Sequence, residues 1–114
     1  MNIFSNAKDA QQFDAGQIVF KEGDAGHVMY AVVEGTVELT HSGHVIDTIG
    51  EGGIFGEMSL VDDDGTRSAT ATAATSARLV RVDKSHFTFL VQEHPTFALQ
   101  VMKIMADRIR HANG

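Results

Sequence analysis

A chain of 114 residues can bury roughly two-thirds of the surface its unfolded form exposes, enough for one hydrophobic core, and predicts a single domain over residues 1–114. Nine Lys and Arg against fifteen Asp and Glu give a net charge of −6, which opposes non-specific attachment to nucleic acid or to an anionic membrane. The absence of cysteine excludes disulfides, thiolate metal sites and thiol nucleophiles. With no apolar span and no leader-like start at Met1-Asn2-Ile3-Phe4-Ser5, the sequence reads as soluble and cytoplasmic.

In chain order, strands come first. Glycine recurs at positions 16, 23, 26, 35, 43, 50, 52, 53, 56 and 65, with short apolar or alternating runs between, a strand-and-turn rhythm. Ile18 to Phe20, Val28 to Val33, Thr36 to Thr40, His44 to Ile49, Ala69 to Ala73 and Arg78 to Val82 are the expected strands. They predict a mainly β fold, a β-sandwich or jelly-roll barrel (double-stranded β-helix), over about residues 12–83. Ser42-Gly43 reads as a two-residue hairpin turn that sets His41 opposite His44.

The rhythm changes at Asp83, which can cap a helix carrying Phe87, Leu90 and Val91 on one side. His94-Pro95 stops that helix, because the residue before a proline disfavours the α region. Pro95 then opens a second helix running to about Ala112, so the C-terminal helices occupy about 84–112. Phe97, Val101, Ile104 and Met105 form one apolar stripe, and Ala98, Met102, Ala106 and Ile109 widen it beyond what one buried face requires. One part is expected to pack on the barrel and to leave another for a partner subunit or for the mouth of a pocket.

Phe55-Gly56-Glu57-Met58-Ser59-Leu60, followed after six residues by Arg67-Ser68-Ala69-Thr70-Ala71, carries the chemistry. Gly56 permits a backbone conformation that a Cβ would hinder, and a short helix opening there presents unpaired N–H groups to an anion. Arg67 offers a planar fork of donors that matches two phosphate oxygens. Glu57 only accepts and is repelled by the same phosphate, so its partners are hydroxyls. A phosphate and a hydroxyl on one small ligand suggest a ribose phosphate.

These residues resemble the cyclic nucleotide-binding domain family of bacterial catabolite activators, protein kinase A regulatory subunits and nucleotide-gated channels. Phe55 to Leu60 with Arg67 to Ala73 fit the family's phosphate-binding cassette, which reads apolar-Gly-Glu-x-small-apolar, a short loop, then Arg-Ser/Thr/Ala-Ala-x-apolar-x-small. Gly23-Asp24-Ala25-Gly26, the run Met29-Tyr30-Ala31-Val32 and Gly35 match its first glycine-rich turn and strand. Ala31 is smaller and Phe20 larger than is usual there, and neither is expected to touch the pocket. The resemblance implies that Glu57 accepts the ribose 2′-hydroxyl. It further implies that the Gly56 to Met58 N–H groups and Arg67 hold the cyclic phosphate, and that Ser68 adds a donor. Phe55, Gly56, Glu57, Met58, Ser59, Arg67, Ser68 and Ala69 are thus the expected ligand-binding residues, with cyclic AMP the expected ligand and cyclic GMP second. The last helix of the family caps the base.

Each feature also has a plainer reading. Glu57 and Arg67 would make a structural ion pair. Asp62-Asp63-Asp64-Gly65 fails the calcium-loop spacing, since Leu60 stands where a first ligand belongs, and reads as a solvated turn. His41 and His44 are too few for a zinc site. Ser59 and Ser68 lack a recognisable base and orienting carboxylate, so no catalysis, metal or cofactor is expected. A metal-dependent cupin would need a His-x-His pair that the sequence does not contain. A pocket that had lost its ligand would leave an interaction module. A transcription regulator of this family would need a helix-turn-helix after the long helix, and the sequence ends at Gly114, so this chain alone is not expected to bind DNA. A homodimer through the C-terminal helix, or an effector protein, is the expected partner besides the nucleotide.

Overall fold

A computed structural model describes residues 9–60 and 65–113. The expected solvated turn at Asp62 to Asp64 lies outside them. Eight strands form two antiparallel four-stranded sheets, the jelly-roll arrangement expected: β1 Gln11–Phe13, β2 Ile18–Phe20, β3 Val28–Glu34, β4 Val37–His41, β5 His44–Ile49, β6 Ile54–Phe55, β7 Thr70–Ala73 and β8 Ala77–Asp83. One sheet has the order β1-β8-β3-β6 and the other β2-β7-β4-β5. β1 and β6, of three and two residues, are additions to the expected set. Expected strand ends shift by one residue at β3, β4, β7 and β8.

The β4–β5 hairpin is the expected one. His41 faces His44, and Ser42 and Gly43 both have positive φ, 50° and 82°, the two left-handed positions that a tight hairpin of this twist demands. Further along, the register passes from Thr40↔Val45 to Leu39↔Asp47, so Ile46 is an extra, unpaired residue, a β-bulge.

β3 divides the core. Tyr30 and Val32 point between the sheets, where Tyr30 stacks on Phe55 at 5.3 Å between ring centroids, while Met29 and Ala31 point to the other face and meet the helices. Buried on both faces, the strand reads as a near-continuous apolar run rather than an alternating one.

Asp83 caps α1 (Lys84–Glu93), its carboxylate accepting from the His86 N–H at 2.7 Å. The helix ends at His94 as expected. α2 (Thr96–Asn113) begins one residue after Pro95, with the Phe97 N–H donating to the His94 carbonyl at 2.8 Å. Phe97 and Val101 bury against the sheet, and Ile104 and Met105 join them in part. Leu99, Met102 and Ile109 stay exposed. Among the described residues, no helix is long and apolar enough to cross a membrane.

Candidate nucleotide-binding site

The two glycine-bearing motifs of the sequence meet in space. Backbone hydrogen bonds join Gly23 N–H to the Arg67 carbonyl at 2.8 Å, Arg67 N–H to the Asp24 carbonyl at 2.8 Å and Gly26 N–H to the Gly65 carbonyl at 2.7 Å. These bonds fix where the Arg67 side chain leaves the backbone. A Cβ on Gly26 would stand 2.5 Å from Arg67 Nε, and one on Gly56 would stand 2.9 Å from Arg67 Nη1. Glycine at both positions makes room for the guanidinium.

Gly56, with φ +76°, turns the chain out of β6 into a single 3₁₀ turn over Glu57–Leu60 rather than an α-helix. Such a turn leaves the N–H groups at its opening without partners inside the helix. Ser59 is turned inward, its hydroxyl 2.7 Å from the Gly56 carbonyl and 2.9 Å from the Val28 carbonyl.

Arg67 is buried, 6% exposed. Its Nη2 donates to the Val28 carbonyl at 2.8 Å, and its Nη1 donates to Ser59 Oγ at 3.0 Å and, more weakly, to the Gly56 carbonyl at 3.4 Å. The Phe20 ring lies 4.0 Å from Cζ, a cation–π contact. Nε is buried and has no hydrogen-bond partner among the described residues. Burial pulls the pKa of Arg67 below the ordinary guanidinium value, with Tyr30 and then Asp24 acting in the opposite sense. The group remains a cation. No carboxylate among the described residues comes within ion-pair distance of it, and a buried cation held by neutral acceptors alone is costly unless an anion joins it.

Glu57 does not pair with Arg67. Its Oε1 accepts from Arg108 Nη1 of α2 at 2.6 Å, so the ion-pair reading of Glu57 with Arg67 is set aside in favour of a different pair. Arg108 spends its other nitrogens on Asp47 Oδ2, 3.1 Å from Nε, and on the Ile54 carbonyl. One guanidinium thereby ties α2 to β5, to β6 and to the turn after β6. Between Arg67 and Arg108 opens a cleft of about 190 Å³. Arg67 and Glu57 both line it.

Residues 10–94 match the family described as the cyclic nucleotide-binding domain. The chain belongs to that family. It is 34% identical over 106 residues to the cyclic AMP receptor protein of Thermus thermophilus, covering 89% of this chain and 49% of that protein. It is 33% identical over 104 residues to the lysophospholipase nte1 of Aspergillus terreus, covering 87% of this chain and 7% of that enzyme. The crystal structure of the Thermus thermophilus catabolite activator protein superposes with a TM-score of 0.74 at 33% identity, covering 91% of this chain and 52% of that one. The chain thus spans about half of the bacterial receptor and a small fraction of the fungal enzymes. The matched family is a binding domain, and the matched segment makes up 7% of the nte1 enzyme.

Within this cyclic nucleotide-binding domain the eight expected site residues are distributed as follows. Gly56, Glu57, Met58, Ser59, Arg67, Ser68 and Ala69 all border the cleft, whereas Phe55 lies behind it, fully buried in the core against Tyr30. Phe20 corrects one expectation: it does touch the pocket, because the ring is the floor on which the guanidinium rests. Arg108 went unmarked in the sequence and lies beyond the matched segment. A signal for it exists, since Phe97, Val101, Ile104 and Arg108 follow one another at helical spacing, and a cation that continues a buried stripe needs a partner there. His41 stands beside Glu22, 3.2 Å from it, and its Nδ1 is 3.1 Å from the Ser68 carbonyl, so the hairpin tip braces the segment after Arg67. No group of three or more His, Asp or Glu side chains among the described residues converges as a metal ion would require.

Proposed function

We propose that this domain binds cyclic AMP reversibly as a regulatory sensor, with cyclic GMP as the second candidate. What supports the reading most is Arg67, a buried cation without a carboxylate partner among the described residues, lining a cleft that Glu57 also lines. In this reading Arg67, with the N–H groups after Gly56, holds the cyclic phosphate, and Ser68 adds a donor. Glu57 Oε1 is engaged by Arg108, and the second carboxylate oxygen accepts the ribose 2′-hydroxyl. The domain comprises residues 1–114, the barrel supplying the cradle and α2 the response. Because Arg108 joins Glu57 to α2, a ligand that reorients Glu57 also acts on the helix. The response is then passed to a second copy of the chain, or to an effector, through the exposed Leu99, Met102 and Ile109 of α2.

Titration calorimetry with cyclic AMP, cyclic GMP and 5′-AMP tests the assignment. Cyclic AMP should bind more tightly than 5′-AMP, because a cradle shaped for a ring phosphate handles the larger dianion less well. Equal or tighter binding of 5′-AMP sinks the cyclic assignment, and binding of none of the three favours an interaction module. At about a hundredfold excess over the dissociation constant the ligand adds about 2.7 kcal/mol of stability, a melting shift on the order of 10 °C for a chain of this size.

A further inference from the structure

We propose that Asp47 is a specificity-determining residue that reads the 6-amino group of the adenine base; this rests on the cyclic AMP reading above. Four observations carry it. Asp47 pairs across the hairpin with Leu39, and directly paired residues share a face, so Asp47 sits on the same side of its sheet as Leu39, which borders the nucleotide cleft. The bulge at Ile46 sets Asp47 against Leu39, where an unbroken register would pair Leu39 with Ile46 and turn Asp47 to the opposite face, and Ile46 still borders that cleft, where with Leu39 it offers a surface for a flat base. Asp47 is linked to the proposed sugar-reading residue through a single guanidinium: Asp47 Oδ2 to Arg108 Nε at 3.1 Å, then Arg108 Nη1 to Glu57 Oε1 at 2.6 Å. A base attached to a ribose at Glu57 and extending toward β5 therefore ends at Asp47. Finally, Arg67 Nε, buried and without a hydrogen-bond partner among the described residues, lies in the same cleft and orients a ligand with its phosphate inward and its base outward.

The chemistry of that outer end favours a donor. Adjoining the cleft, and sharing Ile46 and Arg108 with it, is a groove of about 510 Å³ between β5 and α2, and Asp47, Glu51 and Asp107 border it with Arg108 as the one cation in its lining. Arg108 Nε, Nη1 and Nη2 are each engaged, whereas every carboxylate oxygen keeps lone pairs to spare. Asp47 Oδ1 accepts from the Thr48 N–H at 2.8 Å, which orients the carboxylate and leaves room for one more donor. Adenine presents an N–H₂ group at position 6 and guanine a carbonyl oxygen, so the first is attracted and the second repelled.

The test compares cyclic AMP with purine riboside 3′,5′-cyclic monophosphate, which differs only in carrying hydrogen in place of the 6-amino group. Calorimetry on the wild-type domain should show cyclic AMP binding about tenfold more tightly or better, and Asp47→Ala should bring that ratio close to one. A change in absolute affinity would follow from merely loosening Arg108, but the ratio between the two ligands would not move for that reason. Asp47→Val, which suits a strand, serves if the alanine variant unfolds. A wild-type ratio near one, or a ratio that survives either substitution, overturns the role of Asp47 while leaving cyclic nucleotide binding intact. Failure of the wild-type domain to bind any cyclic nucleotide overturns instead the reading on which this one rests.

Discussion

Arg108 of α2 donates to Glu57 at 2.6 Å across 51 residues of sequence, and so the acidic residue of the turn after β6 is held by the C-terminal helix. Both side chains are largely withdrawn from solvent, Arg108 25% and Glu57 12% exposed, so this contact is less screened than a surface ion pair. A double-mutant cycle with Glu57→Gln and Arg108→Gln should give an interaction energy of about 1–2 kcal/mol in urea unfolding of the ligand-free protein. An interaction energy indistinguishable from zero would mean that the helix is held by its apolar face alone.

Arg67→Leu separates ligand binding from folding. Removing one member of a hydrogen-bonded charge pair costs about 2–5 kcal/mol of binding, so affinity should fall at least about thirtyfold. In the ligand-free protein the Val28 carbonyl keeps a bond from Ser59 Oγ, and the buried, unpartnered Nε disappears with the arginine. A loss of about 1 kcal/mol in folding stability is therefore expected. Normal nucleotide affinity combined with a loss of several kcal/mol would make Arg67 a structural residue.

Gly26→Ala probes the same cation without touching the turn after β6. The added methyl would meet Nε at 2.5 Å, closer than real Cβ atoms approach, and Gly26 does not carry a positive φ. The guanidinium must shift, so nucleotide affinity should drop about tenfold or more by the geometric sensitivity of such a clamp, while far-ultraviolet dichroism stays unchanged. Affinity within a factor of two of wild type would show that the cradle tolerates displacement.

The exposed stripe of α2 makes a prediction about association. Leu99, Met102 and Ile109 are 58–63% exposed on an 18-residue helix. Met102→Glu with Ile109→Glu should convert a dimer to a monomer in sedimentation velocity, because it places like charges face to face. A wild-type chain that sediments as a monomer at 100 times the nucleotide-binding concentration would direct attention to an effector protein instead.

On the opposite flank of that helix, Lys103 Nζ donates to Asp107 Oδ2 at 2.8 Å, and Arg110 Nη1 lies 3.4 Å from Asp107 Oδ1. The hydrogen bond from Lys103 chiefly holds the Asp107 carboxyl below its ordinary pKa of 3.8, the nearby charges adding to it. A carboxylate with a depressed folded-state pKa contributes stability that is present above the ordinary value and is lost as pH falls through the lower, folded-state one. Carboxyl carbon shifts of Asp107 followed by NMR should titrate below 3.8 in the wild-type domain and move upward in Lys103→Ala. An unchanged midpoint would assign the shift to another cause.

How much of this was legible in the chain depends on the range of each interaction. The His41–His44 hairpin, the strands β2 to β5, β7 and β8, and the cap at Asp83 follow from neighbours in sequence, where turn chemistry and alternation act directly. The cradle was legible because Gly56 and Arg67 lie within one short segment. β6 was not, since two residues carry no period, and Ile54 and Phe55 are a strand because Ala31 and Tyr30 of β3 stand opposite them. Phe20 as the floor under Arg67, and Arg108 as the partner of Glu57, depend on the packing of distant elements, which no local pattern specifies.

The division of apolar residues by β3 has a mechanical consequence. With Tyr30 and Val32 committed to one hydrophobic compartment and Met29 and Ala31 to another, the strand is a party wall: disturbance on the helical side need not propagate through it. α1 and α2 pack on the Met29 and Ala31 side of that wall, and Arg108, reaching past it to Glu57 and Asp47, is the tie through which α2 meets the cleft. Amide exchange should accordingly open the helices well before the strands behind them.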